Sequence, residues 1–171
     1  MKNLNDLILN NYQEFEALHD ENSNMEIPEA DFTRAQLSDC NFSNIDFSDS
    51  TFQESNLENI DFTDCDLTGV DFSHSNIIEC NFTGSILNGA IFSYSTVNYC
   101  NFADADMAGA NLSEADLADS DFSTSENLDS CRFDESTIWP DDEKLPEEFD
   151  CTYNYDSSSL REEDEVTQEV Y

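Results

Sequence analysis

Residues 30–69 read ADFTR AQLSD CNFSN IDFSD STFQE SNLEN IDFTD CDLTG, and the same five-residue spacing continues without a gap to Thr124. The stretch from Ala30 to Thr124 divides into nineteen pentapeptides whose third residue, the centre, is always large and apolar. The first residue of each pentapeptide is Ala, Cys, Ser, Val or Ile, and fourteen of the nineteen second residues are Asp or Asn. This tandem repeat decides the fold.

A period of five fits neither the 3.6-residue period of an α-helix nor the two-residue period of a β-strand, so the chain must turn at regular intervals. If four pentapeptides form one coil, centres twenty residues apart should stack and should resemble one another. One such column is entirely phenylalanine: Phe42, Phe62, Phe82, Phe102 and Phe122. The other three columns are Phe32, Phe52, Phe72, Phe92 and Leu112; Leu37, Leu57, Ile77, Val97 and Leu117; and Phe47, Leu67, Leu87 and Met107.

Glycine spacing and one insertion agree with a four-sided coil. Gly69, Gly89 and Gly109 lie twenty residues apart, which predicts a recurrent turn with a positive φ or a close approach. At 125–129 the step between apolar centres is six residues, and the period of five then resumes. We interpret the insertion as a bulge, after which Phe133 joins the Phe32 column and Ile138 joins the Leu37 column.

Two pentapeptides carry a family resemblance. ANLSE at 110–114 and ADLAD at 115–119 match the pentapeptide-repeat consensus of Ala, Asp or Asn, Leu and two variable residues. The sequence resembles the pentapeptide-repeat family over about two thirds of its length. The resemblance implies an all-β fold, a right-handed quadrilateral parallel β-helix in which the centres and the small residues point inward.

The chain is expected to have three parts. Residues 1–28 are predicted to hold an N-terminal capping helix and a linker, because apolar residues recur at helical spacing from Leu4 to Leu18. An open coil end exposes unpaired backbone groups, so a solenoid needs such a cap; a docking surface for a partner is the alternative role of this helix. Residues 29–139 are predicted to form the β-helix. Residues 140–171 are predicted to form a C-terminal cap and an acidic, flexible tail from Leu145 onward, although Ser159 and Glu162 leave a short helix as the alternative.

Acidic residues dominate the charge, with forty Asp and Glu against five Lys and Arg and a net charge of −35. Such a charge excludes direct binding to nucleic-acid phosphates or to anionic membranes, and it makes a basic partner the expected one. The sequence shows neither a signal-peptide core nor an apolar stretch that could span a bilayer, which predicts a cytoplasmic protein. Adaptation to salt is the alternative origin of the acidity.

The repeat explains most of the six cysteines. Cys40, Cys65, Cys80 and Cys100 occupy the small inward position, and Cys131 does so once the bulge is allowed for. Cys80 and Cys100 are predicted to stack on neighbouring coils about 4.8 Å apart, a separation that a disulfide could bridge. In a reducing cytosol, two free thiols are the favoured interpretation.

No catalytic, cofactor or metal site is predicted. The two histidines, His19 and His74, have no partner in the pattern, and the sequence has no CxxC, HExxH or Gly-rich phosphate-binding motif. The protein is therefore expected not to be an enzyme and to hold no cofactor. The Asp and Asn residues before the centres resemble a carboxylate array, but short side chains that bond the nearby backbone in tight turns explain them better.

The polar pattern of the exterior breaks in one region. The second position is apolar at Ile86 and Ile91, and nearby outward positions carry Ile78, Tyr94 and Tyr99. Exposed isoleucines and tyrosines on a polar exterior are typical of a protein contact, so we predict that these five residues form a partner patch. The alternative is that the tyrosine rings simply cover the isoleucines on the surface.

A capped solenoid without an active site can act only by presenting its surface, so the first functional hypothesis is a protein-binding scaffold or regulatory interaction module. The resemblance implies a second, since some pentapeptide-repeat proteins mimic B-form DNA, bind DNA gyrase or another type II topoisomerase and confer resistance to quinolone-type inhibitors. Five to six coils at about 4.8 Å each span roughly 27 Å, over which duplex DNA carries about sixteen charges, and residues 30–124 carry seventeen carboxylates. Against this hypothesis, no long loop interrupts the coils and no apolar C-terminal dimerisation segment is evident. Both a monomer and a homodimer fit the sequence.

Overall fold

The computed structural model describes residues 8–9, 12–13, 15–16 and 25–152. Within this part the chain forms a right-handed, four-sided parallel β-helix, which confirms the predicted fold class. Successive coils pair at a spacing of twenty residues. We name the four sides after their first complete pentapeptide: side A has its centre at Phe32, side B at Leu37, side C at Phe42 and side D at Phe47.

In the described part of the chain, six short strands have regular β geometry. On side D, β1 (Met25–Glu26) pairs in parallel with β3 (Ile45–Asp46). Side B carries a four-stranded parallel sheet in the order β2-β4-β5-β6, built from β2 (Gln36–Ser38), β4 (Asn56–Glu58), β5 (Asn76–Ile78) and β6 (Thr96–Asn98). Elsewhere the coils pair through single-residue parallel bridges with the same register, such as Asn81 to Asn101 on side C.

Residues 61–65 show how a unit with Asp at its second position pairs five consecutive backbone N–H groups. The amide of the centre, Phe62, donates to a carbonyl of the next coil at 2.7 Å, and that of Asp61 donates to the previous coil at 2.9 Å. Asp64 N–H also reaches the next coil, at 3.0 Å, and Cys65 N–H closes the turn onto the carbonyl of the centre at 3.2 Å. The amide of Thr63 donates to the Asp61 carboxylate at 3.0 Å. Complete pairing of this kind is what allows backbone to be buried.

The second residue of the pentapeptide is therefore structural. In twelve of the nineteen pentapeptides an Asp or Asn oxygen at this position accepts a hydrogen bond from the backbone N–H two residues later, which is an Asx turn. The distance is 2.8 Å from Ser48 N to Asp46 Oδ1 and 3.0 Å from Ala103 N to Asn101 Oδ1. The same bond forms at Asp31, Asn41, Asp66, Asp71, Asn81, Asp106, Asn111, Asp116 and Asp121. The interpretation of the Asp and Asn residues as support for turns is confirmed for these and Asp61. Asn56 and Asn76 on side B differ, since Asn76 Nδ2 donates to Asn56 Oδ1 at 2.7 Å.

The fifth residue of most pentapeptides lies in the left-handed region, because the chain turns sharply at each corner. Its φ is 55° at Glu54 and 57° at Asp104. A positive φ is what the third position of a type II turn requires. Gly69, Gly89 and Gly109 have φ of 68°, 67° and 68°, so the prediction of a positive φ at these glycines is confirmed.

Columns of apolar side chains fill the interior, and every centre from Phe32 to Phe122 is buried. On side C, the rings of the predicted phenylalanine column stack from Phe62 onward, with centroid spacings of 5.1, 4.8 and 4.4 Å and interplanar angles of 13°, 5° and 9°. The rings of sides A and C meet edge to face, as Phe82 and Phe92 do at 6.2 Å. Both arrangements are favourable for aromatic quadrupoles, so the columns hold the coils in register.

The insertion after Phe122 forms a 3₁₀ turn, η1 (Leu128–Ser130). Asn127, which precedes this turn, has a left-handed conformation with φ 57° and ψ 24°, and Leu128 is buried. Asn111 then bridges to Arg132, so Phe133 stands on side A above Leu112, as predicted.

The prediction for Ile138 is wrong. Asp116 bridges to Ile138, which places Ile138 in the outward second position, where it is 53% exposed. One further residue is inserted between Phe133 and Ile138, and this insertion shifts the register by one. Trp139, which is partly buried against the core, therefore follows in the position above Leu117.

The chain before the repeats contacts the first coils. Because β1 pairs with β3, the β-helix begins at Met25, before its predicted start at residue 29. Further upstream, the described residues of the N-terminal segment have α-helical backbone. Phe15 packs edge to face on Phe42 with centroids 5.7 Å apart, and Tyr12 Oη donates to Asn41 O at 3.2 Å. The rest of the predicted helix lies outside the described residues, and its capping role stays a prediction.

The chain after the repeats also packs on the coil. Phe122 N–H donates to Lys144 O at 2.8 Å, at the end of the 3₁₀ turn η2 (Asp142–Lys144). Leu145 is buried, and the ring of Phe149 lies 5.0 Å from that of Trp139. This packing differs from the extended tail predicted from Leu145 onward. Residues 153–171, with the predicted capping box, lie outside the described residues.

Gly89 tests the corner geometry, because its φ is 67° and an added Cβ would meet no atom within 4 Å. Backbone conformation alone should then decide the cost of a side chain. We expect Gly89→Asn to change the free energy of unfolding by less than about 0.5 kcal/mol and Gly89→Val to lower it by about 1–2 kcal/mol, since Asn adopts a left-handed φ far more readily. Urea unfolding followed by circular dichroism measures both, with the same two substitutions at Gly109 as a matched pair. Equal losses for Asn and Val would contradict a left-handed corner.

Candidate interaction surface

The residues of the predicted patch lie within two successive coils but on three sides. Ile91 and Tyr94 belong to side A, and Ile78 and Tyr99 belong to side B. Ile86 stands in the second position on side D. Because sides B and D are opposite faces of a four-sided coil, the structure groups the first four residues on two adjoining sides and separates Ile86 from Ile78 and Tyr99.

The two tyrosines are the most exposed residues of the patch. Tyr94 is 53% exposed and Tyr99 is 62% exposed, whereas Ile78 and Ile91 are partly buried. Both tyrosines are the fifth residue of their pentapeptide, with φ of 61° and 59°, so they stand at corners and not on a flat side. Bulky residues are uncommon in the left-handed region, yet two successive corners carry one here.

A column of side chains, which we call the A–B corner, runs along the edge between sides A and B. It consists of Arg34, Glu54, His74, Tyr94 and Glu114, one residue per coil. At its start, Arg34 Nε and Nη2 donate to the two carboxylate oxygens of Glu54 at 2.7 and 3.1 Å. In its middle, the imidazole of His74 lies flat on the ring of Tyr94, with centroids 4.8 Å apart and planes 6° apart.

A carboxylate lies beside each tyrosine, one coil further along the solenoid. A hydrogen bond with Glu114, reinforced by its negative charge, raises the pKa of Tyr94. The negative charge of Asp119 and a hydrogen bond with it raise the pKa of Tyr99, and the charge of Glu79 adds to the effect. Each tyrosine therefore stays a neutral phenol beside a carboxylate.

Sequence reasoning missed these neighbours of the tyrosines. His74 and Glu114 lie twenty residues on either side of Tyr94, and Asp119 lies twenty residues after Tyr99. The same spacing that sorts the centres into columns would have found them on the exterior. The predicted patch contains only the apolar and aromatic residues of the exterior, and it lacks the polar residues beside them.

The buried cysteines do not offer a reactive group. Cys80 and Cys100 are free thiols, which was the favoured of the two interpretations. Burial raises the pKa of Cys65 and of Cys131 to about 12 and that of Cys40 to about 11. A thiol that stays protonated at neutral pH is a poor nucleophile and a poor metal ligand.

The described residues provide no cluster of three His, Cys, Asp or Glu side chains that could hold a metal ion. A concave surface near the C-terminal end encloses ≈340 Å³ and is lined by Asp129, Phe133, Glu148, Phe149 and Asp150. Its lining consists of carboxylates and phenyl rings, without a nucleophile and base that could act together. Among the helical residues that the structure describes, no segment has the length and apolar character needed to cross a membrane.

Solved structures resemble this chain at low sequence identity. A pentapeptide repeat protein from the thylakoid lumen of Arabidopsis thaliana is 18% identical with a TM-score of 0.45, over 53% of this chain and 67% of that protein. QnrB1, a plasmid-mediated fluoroquinolone resistance protein, is 14% identical with a TM-score of 0.35, over 64% of this chain and 75% of QnrB1. HetL, a pentapeptide repeat protein involved in heterocyst differentiation regulation in the cyanobacterium Nostoc sp. strain PCC 7120, is 19% identical with a TM-score of 0.29, over 67% of this chain and 54% of HetL. Likeness at this level says nothing about partners.

The family assignment comes from the sequence match. No curated protein matches the chain. A family model described as "Pentapeptide repeat region" matches residues 22–92 and 55–138, and the two matches together span more than half of the chain. They also span the ladder of paired coils almost completely. The chain therefore belongs to the pentapeptide-repeat family.

Proposed function

We propose that this protein is a non-catalytic solenoid that presents a protein-binding surface, as a scaffold or a regulatory interaction module. The observation that carries the proposal is the exposure of Tyr94 and Tyr99 at successive corners of an otherwise polar coil. Tyrosine supplies a large, rigid contact area at a low cost in conformational entropy, and it is enriched where protein partners meet. The proposed patch consists of these two tyrosines with Ile78 and Ile91.

The coil supports this role because it presents the patch in a fixed arrangement. The backbone on which Tyr94 stands is bonded to the next coil, from Tyr94 N to Ser113 O at 3.1 Å. The ring itself is held by the stack on His74, whose plane lies 6° from that of the Tyr94 ring. A partner would therefore meet side chains that are already ordered, and little binding free energy would be lost in ordering them.

Ile86 provides a matched control for the patch. It is 42% exposed but stands on side D, away from Ile78 and Tyr99. Asn is one of the two residues that the repeat prefers at this second position, so Ile86→Asn should keep the fold. It removes one exposed apolar side chain from the coil without touching the proposed patch.

The proposal predicts that Tyr94→Asn combined with Tyr99→Asn removes partner binding. Asn is chosen because it tolerates the left-handed φ of both corners. The wild type, Ile86→Asn and the double variant are each used to capture proteins from an extract of the source cells. A protein that binds the first two but not the third is then purified, and its Kd for each form of the solenoid is measured. The double variant should weaken that Kd roughly 30-fold or more, as expected when two interface tyrosines are lost. An unchanged Kd in a double variant that is folded by circular dichroism would contradict the patch.

An acidic column on side D favours a second candidate function, mimicry of DNA toward DNA gyrase or another type II topoisomerase. The second residues of this side pair from coil to coil in one row. Ile86 is apolar, and the others carry a carboxylate: Glu26, Asp46, Asp66, Asp106 and Glu126. The ladder thus holds five carboxylates in one row on a chain with a net charge of −35. Regular negative charge of this kind is what a DNA-binding groove attracts.

Asparagine substitutions test this candidate, because the Asn side-chain oxygen accepts the same backbone N–H and keeps the Asx turn. The candidate predicts that the wild type inhibits supercoiling by purified gyrase, or protects it from a quinolone. Neutralising the side D column with Asp46→Asn, Asp66→Asn and Asp106→Asn should raise the protein concentration required by about ten-fold. The matched control removes the same charge from sides B and C with Asp61→Asn, Asp116→Asn and Asp121→Asn. Absence of any effect of the wild type, or equal losses in the two triple variants, would rule out mimicry by this column.

A further inference from the structure

Two corners of the coil repeat one arrangement, an exposed tyrosine with a carboxylate one coil further along. Glu114 stands one coil after Tyr94 along the A–B corner, and Asp119 stands one coil after Tyr99 along the corner between sides B and C. His74, on the preceding coil, covers the face of the Tyr94 ring that points back along the solenoid, at 4.8 Å. The opposite face of that ring lies toward Glu114, so an incoming group on this face meets an aromatic ring and a carboxylate together.

We propose that this surface docks a partner segment through arginine side chains, with each guanidinium lying on a tyrosine ring and pairing with the adjacent carboxylate. The inference rests on the proposed function and names the chemistry of the partner's contact. A guanidinium is planar, so it can stack on a ring and also donate two parallel hydrogen bonds to a carboxylate. An ammonium group is a more strongly hydrated point charge that cannot do both in this way.

The A–B corner already contains one contact of this kind within the chain. Arg34 and Glu54 stand at successive positions of the corner, and two hydrogen bonds of 2.7 and 3.1 Å join the guanidinium to both oxygens of the carboxylate. A corner carboxylate can therefore accept a guanidinium that lies one coil before it. Glu114 is preceded in the corner by Tyr94 and not by an arginine. In the proposed complex the guanidinium therefore comes from the partner.

The surrounding charge selects a cationic partner. Among the described residues, neither Glu114 nor Asp119 forms an ion pair, and Lys144 Nζ donates to the backbone carbonyl of Asp119 and not to its carboxylate. Glu79 adds a further negative charge near Tyr99. A basic segment would thus find unpaired negative charge beside both rings, whereas an acidic segment or a nucleic acid would be repelled.

The test compares labelled oligo-arginine and oligo-lysine peptides of equal length, by fluorescence anisotropy with the full chain at about physiological salt. The wild type should bind the arginine peptide roughly five-fold more tightly than the lysine peptide, because stacking on two exposed rings favours the guanidinium. Tyr94→Asn combined with Tyr99→Asn should bring this ratio close to one. Equal affinity of the wild type for the two peptides, or a ratio that survives loss of both rings, would overturn the inference.

A matched pair of charge variants separates local recognition from general attraction. Glu114→Gln with Asp119→Asn removes two charges beside the tyrosines, while Asp64→Asn with Asp104→Asn removes two exposed charges from the corner between sides C and D. The first pair should weaken binding of the arginine peptide about five-fold and the second less than about two-fold, since screened charges on distant corners contribute little. Equal weakening by the two pairs would assign the binding to net charge and overturn the inference.

These peptide measurements require no natural partner, so their failure is distinct from that of the proposed function. Preference for arginine without tyrosine-dependent capture of a protein would contradict the proposed function. Tyrosine-dependent capture without a preference for arginine would leave the proposed function standing and overturn the inference.

Discussion

A chain that turns every five residues cannot satisfy its backbone through long strands, so each pentapeptide must pair its N–H groups with itself and with the coils on either side. At Phe62, for example, the centre and second residue bond to neighbouring coils, the turn closes on the carbonyl of the centre, and the remaining amide donates to the Asp61 side chain. Once this pairing is in place, the centres and the small residues can only point inward. The fifth residues are left at the corners, where their side chains are free to vary.

Most of the fold could be predicted because the repeat presents the same requirement nineteen times over. The spacing of twenty was enough to predict that Phe82 stacks in a column, and the chemistry of tight turns was enough to predict the role of the Asp and Asn residues. The register beyond Phe133 could not be predicted, because Ile138 and Trp139 are both apolar and either could serve as the next centre. Which of the two becomes the centre depends on the one-residue insertion after Phe133, and the sequence of residues 134–137 does not show that insertion.

The candidate site was predicted only in part, for a physical reason that applies to solenoids. Residues close in sequence lie on different sides, so Ile86 and Tyr99 face away from each other although only thirteen positions separate them. Residues twenty apart are neighbours, so His74 stacks on Tyr94 and Glu114 follows it on the next coil, although the sequence between them passes around the whole coil. Exposure of the tyrosines follows from their corner positions, but their polar surroundings follow from the stacking of coils.

Residue-by-residue amide hydrogen exchange, followed by NMR, tests the coil-to-coil pairing most directly. Coil-to-coil pairing predicts exchange rates with a period of five along the inner coils. Where an Asx turn forms, the amide of the buried centre, such as Phe62 or Phe82, should exchange slowest because its acceptor is a backbone carbonyl of the next coil. The amide that follows it, such as Thr63 or Thr83, should exchange fastest because its acceptor is a surface side chain. Alternation with a period of two, or uniformly fast exchange, would contradict the four-sided coil on which the proposed surface depends.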